Sequence, residues 1–281
     1  MDSQDVAKSM RGSVGMLAMH WLLAPSTTEQ AVEAGMPDGI AGYAVGRLGV
    51  LGDCPVDNVV AAAFFWDPEF LAKQTVKGRA QFDPKEGAPI YAKICQKWGE
   101  DHLKGFDGIE RLGELAERVV NNASPLGAPL FVGWRDQTLP EPGAGRTMQL
   151  CQTLRELGFS RFCSAMLGSG LSPLDAIMSG PTGAWNAEMF GWKPPFPDGE
   201  PNQGRRQEIE VHANTLHAQD FEVLSAEERE EFVALCKQVG STPPALEVSE
   251  KAREFFGMVA GFVAAKNVAM FEAVAVFSVA L

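Results

Sequence analysis

The sequence predicts an all-α fold, a multi-helix orthogonal bundle that includes a helix-turn-helix part. Three observations carry that prediction. Apolar residues recur at three- and four-residue spacing over long segments, as in Val6, Met10, Val14, Leu17, Trp21 and again in Leu150, Leu154, Leu157, Phe162. Helix-start residue types stand at Asp67-Pro68, Ser172-Pro173 and Ser225, each ahead of a further helix. No run alternates apolar and polar residues with β-branched enrichment and hairpin turns, so nothing reads as a strand.

Taken in order, residues 4–24 form the first helix and Pro25 interrupts it. Ser26 caps a short helix with Glu29 completing a capping box, and Gly35 closes it. In the stretch 39–49, Gly39, Gly42, Gly46 and Gly49 fall three, four and three apart, on one face if the segment is helical. Glycine disfavours a helix interior by about 1 kcal/mol relative to alanine, so four of them point to close approach by another backbone or a flat ligand. Pro55 suits the first turn of a helix to Phe65 or Trp66, and Asp67-Pro68 opens the next, to about Lys77.

Residues 78–88 read as a loop, followed by helices from Pro89 to Trp98 and from about Ile109 to Val120. The Pro/Gly-rich stretch 121–145 is the domain boundary, separating an N-terminal helical domain (1–120) from a C-terminal one (146–281). The latter has an amphipathic helix, a Gly-containing turn and a short capped helix over 146–179, which is helix-turn-helix form. A Pro/Gly/aromatic connector without regular structure spans 179–204. A polar helix (205–216) and a helix capped by Ser225 follow it. The last helix, 253–281, is apolar and is read as a buried core helix or a homo-oligomer interface.

The chain has 281 residues, 46% hydrophobic and 21% charged, the composition of a globular protein. Its formal charge of −12 repels phosphate backbones, and the second helix of the 146–179 unit (PLDAIMS) has no Lys, Arg, Asn or Gln for base edges. Nucleic acid is therefore not expected as a partner. Five cysteines without a C-x-x-C pair read as reduced thiols of a cytoplasmic protein. Lys266, Asn267 and Glu272 lie within the apolar C-terminal run and argue against a membrane span.

Arg47 is the sole charge between Asp38 and Asp53 and needs a partner. It serves either as anchor for a carboxylate or other anion, or as a structural pair with Asp38, Asp53 or Asp57. Gly42, Tyr43 and Gly46 share its segment. Trp21, Phe65 and Trp66 either line an apolar pocket with them or pack as plain core. His20, beside Trp21 at the end of an apolar helix, is the one general-base candidate; desolvation would keep it neutral. His212 and His217 are five apart and cannot share a metal as an i,i+4 pair would, so no metal site is expected. No Walker A or dinucleotide motif names a cofactor.

The run from Glu29 to Leu71, with Ala34-Gly35, Gly42-Tyr43, Arg47 and Leu51-Gly52, then an Ala-rich run ending in Phe-Phe, resembles a largely uncharacterised actinobacterial helix-turn-helix family related to winged-helix regulators. LREL (154–157) and GLSPLDAIM (170–178) resemble its second segment, so the likeness covers roughly residues 15–180. It implies an α-helical fold with a winged-helix-like part, and His20 falls on a histidine common in those relatives. A polar His- and Asp-containing stretch that relatives carry after LRE is replaced here by Leu157–Phe162. The expectation overall is a protein that holds a small, largely apolar ligand with Arg47 as anion anchor. The alternatives are a transcriptional regulator of winged-helix type and an oligomeric assembly protein using 253–281.

Overall fold

The chain enters its first helix at Asp2, whose carboxylate accepts from the Asp5 amide, and α1 runs Ser3–Leu22. The structure, a computed structural model, describes residues 1–241. Pro25, not Ser26, starts α2 (Pro25–Glu33): proline at the first helical position needs no donor there, so the helix begins one residue early, without a side-chain cap. Gly35 ends that helix at φ +86°.

α3 (Gly39–Val45) is shorter than the glycine spacing suggests. Its backbone leaves the helix at Gly46, and Gly49 lies in a 3-10 turn, Leu48–Leu51, so the four glycines do not share one helical face. Close approach is nevertheless real at three of them, Gly42, Gly46 and Gly49, and tightest at the first two. A Cβ on Gly42 would sit 2.0 Å from the Pro37 carbonyl oxygen, and one on Gly46 would sit 2.7 Å from the Tyr91 ring.

α4 (Val56–Ala63) and α5 (Pro68–Arg79) follow, the second capped by Asp67 onto the Phe70 amide at 2.8 Å. The loop expected over 78–88 is mostly helix. Asp83-Pro84 repeats the Asp67-Pro68 signal and opens α6 (Pro84–Leu103), with Pro89 inside it on the exposed side. The backbone of α6 crosses that of α3 closely enough that a Cβ on Gly87 would meet the Val45 carbonyl oxygen at 2.3 Å.

α7 spans Ile109–Asn122. The stretch read as a Pro/Gly boundary then contains α8 (Pro129–Arg135). α9 (Ala144–Ser169) is buried without a break from 147 to 157, as a helix surrounded on all sides must be. Gly170 ends it at φ +69°, and the Ser172 hydroxyl accepts from the Asp175 amide to start α10 (Pro173–Met178). The connector expected to lack regular structure holds α11 (Gly183–Met189) and a 3-10 turn, Glu200–Asn202. α12 (Gln203–Ala218) and α13 (Ala226–Ser241) complete the described chain. A capping box starts α13: the Glu228 amide donates to Ser225 Oγ at 3.2 Å and the Ser225 amide to Glu228 Oε2 at 2.9 Å. The apolar helix expected over 253–281, with its oligomer interface, lies outside the described residues.

α9 packs against α1, α6, α7, α8 and α12 and joins two apolar cores. Its first half contributes Met148, Leu150 and Leu154 to a core with Trp21, Trp98 and Trp134. Its second half contributes Phe159, Phe162 and Met166 to one with Phe65, Trp66 and Phe190. The fold is all-α. No strand occurs among the described residues, so the winged-helix-like part implied by the resemblance has no β-wing in them.

Two alanine substitutions separate close packing from plain helix propensity. Gly87→Ala should lower stability by about 1–3 kcal/mol, because the new methyl meets backbone that cannot swing away. Gly168→Ala, exposed on α9 with nothing within 4 Å, should raise stability by about 0.5–1 kcal/mol. Urea unfolding of the two variants beside the parent measures both.

Candidate functional site

Glu156, fully buried in the middle of α9, gathers four donors. Arg47 meets it with two parallel bonds, Nε to Oε1 and Nη2 to Oε2, both 2.7 Å. Oε1 also accepts from Gln152 Nε2 at 2.5 Å and from Arg155 Nη1 at 3.0 Å. Two further bonds extend the cluster: Arg47 Nη1 donates to the Tyr43 hydroxyl, and Trp21 Nε1 donates to Gln152 Oε1 at 3.2 Å. The Arg47 guanidinium also lies 5.7 Å from the Phe159 ring centre.

The partner of Arg47 is thus neither Asp38, Asp53 nor Asp57 but a carboxylate 109 residues further on. Asp38 instead accepts from the Gly39 amide at the start of α3. Electrostatics follow from this geometry. Burial alone would raise the Glu156 pKa, but Arg47 and Arg155 outweigh it and hold the carboxyl below its ordinary value. Burial works against the charge on Arg47 too, and Glu156 with the Tyr43 hydroxyl overcomes it, so Arg47 stays firmly charged. Arg155 fares worse: burial, then the neighbouring Arg47, bring it down to about 10.

Beside the cluster is a cavity of about 310 Å³. Its apolar wall includes Met19, Leu22, Ile40, Trp66 and Met189, and Gly42, Tyr43 and Tyr91 form the side nearest the charges. Of the residues singled out in the sequence, Gly42, Tyr43 and Trp66 meet at this cavity, with the Tyr43 and Trp66 rings 5.4 Å apart. Arg47 and Trp21 lie in the polar cluster behind it, 2% and 0% exposed, and all three Arg47 nitrogens are engaged there. Gly46 packs on the Tyr91 ring, and Phe65 belongs to the second core with Phe159 and Phe162.

His20 does not line this cavity; it sits near His102. His102 is half-buried, stacked on Trp98 with ring centres 4.4 Å apart, and its Nδ1 is 2.8 Å from the Trp98 carbonyl. His217 and Asp220 form another buried pair, Nδ1 to Oδ2 at 2.9 Å, with Arg161 also on the Asp220 carboxylate. No group of His, Cys, Asp and Glu among the described residues could hold a metal ion.

Sequence reasoning missed Glu156, Arg155, Gln152 and Tyr91. The one available signal was QLCQTLRELGF itself, a helix whose polar residues are interspersed with apolar ones all round rather than gathered on one face.

A family model described as a helix-turn-helix family matches residues 7–245. The chain belongs to that helix-turn-helix family. No curated protein and no solved structure matches it. Membership corrects the expectation that put nucleic acid aside and named a small molecule as partner: the helix-turn-helix family points to nucleic acid, and the match lends nothing to the small molecule. The error was to let a sum stand for a surface. Charges more than about 8 Å apart are screened at physiological salt, so the total of −12 says little about one helix face. No helix among the described residues is long and apolar enough to cross a membrane.

Burial, then the charge of His102, lower the His20 pKa from 6.5 to about 4. The unfolded chain therefore takes up the proton first, so stability rises with pH between those values. This contribution is complete above about pH 6.5 and is lost as the pH falls toward 4, up to about 3 kcal/mol in all. Urea unfolding between pH 7 and pH 4.5 should show a shallower loss for His20→Gln than for the parent.

Proposed function

We propose that this protein is a DNA-binding transcriptional regulator whose reading unit is α4, the turn 64–67 and α5. The 146–179 segment, which has helix-turn-helix form in sequence, is a poor vehicle. Its first helix is the central helix of the core, and α10 has six residues with Ala176 and Ile177 buried.

The observation that carries the reading is the α4–α5 pair in a chain of the helix-turn-helix family. Four residues join the two helices, the length a helix-turn-helix uses. Phe64 has a positive φ of +55° with ψ −53° in that turn, a strained choice for a residue with a side chain. Its ring packs against Phe65, with centres 5.0 Å apart. Both α3 and α4 pack on α5, which supports the second helix from behind.

The outer side of α5 presents Lys73 and Lys77, both exposed, with Gln74 half-buried between them. Lysine and glutamine supply the donors for phosphates and base edges that α10 lacks. Lys73 is 3.7 Å from Glu69, an exposed pair worth little in water and easily exchanged for a phosphate. Arg79 points the other way and is spent on the Gly52 and Cys54 carbonyls.

Selection from a random duplex pool, followed by binding at several salt concentrations, tests this. The parent should retain duplex at about 50 mM salt with log K falling linearly in log[salt]. Lys73→Ala/Lys77→Ala should reduce that slope by about 2. No retention by the parent, or an unchanged slope in the double variant, contradicts the reading.

A further inference from the structure

The outward face of α5 has two rows of side chains. Lys73 and Lys77, one turn apart, make a basic row. Beside it runs an uncharged row of Ala72, half-buried, then Val76 and Ala80, both exposed. Val76 is 58% open to solvent. At 100° per residue these positions fall away from Leu71, Thr75 and Gly78, which are buried. That inner side is seated tightly on α3, since a Cβ on Gly78 would meet the Ala41 carbonyl oxygen at 2.5 Å, so Val76 is held outward.

Single exposed apolar side chains are ordinary on a protein surface. Val76 stands apart through its residue type and its neighbours. A β-branched side chain weakens a helix slightly, and in water it gains nothing in return. Ala72 and Ala80, one turn to either side, are too short to cover it. The two lysines next to it supply the charge complementarity that a phosphate backbone requires. The major groove of DNA is about 12 Å wide and admits one helix. Among the base edges there, the apolar group that a valine can meet is the C5-methyl of thymine.

We infer that Val76 reads the methyl group of a thymine in the major groove, while Lys73 and Lys77 beside it hold the phosphates. The inference rests on the proposed reading unit and names the feature of the duplex which that unit selects. The partner is DNA and not RNA: uracil has no C5-methyl, and side chains cannot read the deep, narrow major groove of an A-form helix.

The experiment starts from the site enriched out of the random duplex pool. Each thymine in it is replaced in turn by deoxyuridine, which deletes one methyl group and leaves the hydrogen-bonding edges unchanged. At one position the parent should bind about fourfold more weakly, the worth of one buried methyl. Val76→Ala should bind thymine and uracil there equally well. Its melting temperature should equal or exceed that of the parent, since alanine is the better helix former. The fourfold factor should hold at every salt concentration, because an apolar contact releases no counterions; the loss in Lys73→Ala/Lys77→Ala shrinks as salt rises. A selected site without thymine, uracil tolerated at every position, or undiminished discrimination in Val76→Ala overturns the inference and leaves DNA binding standing. No retention of any duplex by the parent removes the proposed reading unit and the inference with it.

Discussion

A carboxylate in the centre of the central helix sets the constraint on which this structure depends. Glu156 is 0% exposed, so its charge must be met by protein donors, and they come from separate parts of the chain. Arg47 brings in the segment that follows α3, and Gln152 brings in α1 through Trp21. Packing alone would let helices slide by fractions of a turn; a bidentate pair with both partners buried does not. Such pairs need not add stability over an apolar replacement of the same shape. What this one supplies is position: it fixes α3 against α9, and so fixes where Gly42 and Tyr43 stand.

That position ties together two features that look unrelated in the sequence. α3 lines the cavity through Gly42 and Tyr43 and also packs on α5, which carries Lys73 and Lys77. A single short helix therefore touches the cavity, the buried cluster and the proposed reading helix. Several bases and acids elsewhere on the molecule are paired with one another. Arg111, Arg118, Arg146 and Arg161 all meet Asp or Glu partners elsewhere on the molecule.

How much of this could be read beforehand depends on the range of the interaction. Helix starts are local, and Asp67-Pro68, Ser172-Pro173 and Ser225 each begin a helix where residue types alone place one. Asp83-Pro84 is the same signal, yet Gly78 and Gly87 on either side of it read as a loop. In the structure those glycines are contact points: a Cβ on Gly78 would meet the Ala41 carbonyl oxygen at 2.5 Å, and Gly87 lies against Val45. Tertiary close approach uses the same residues as turns do, and spacing cannot separate the two. α8 and α11, seven residues each, are too short for a 3.6-residue period to show.

The site divides in the same way. The isolation of Arg47 marked it as a residue in need of a partner, and Tyr43, Gly42 and Trp66 do gather at one cavity. The partner itself lies 109 residues away, and no local pattern can join Arg47 to Glu156 over that distance. Arg155 was hidden for a related reason: beside Glu156 in sequence it looks like half of a solvated pair, and only the burial of α9 on every side over 147–157 shows that it is not.

A double-mutant cycle on Arg47→Met and Glu156→Leu measures the central claim most directly. If the pair fixes α3 on α9, each single substitution strands a buried charge, while the double variant loses much less than their sum, with a coupling energy of at least about 2 kcal/mol. Singles that add within about 0.5 kcal/mol in the double variant would show that the two side chains are independent, and the account would fail.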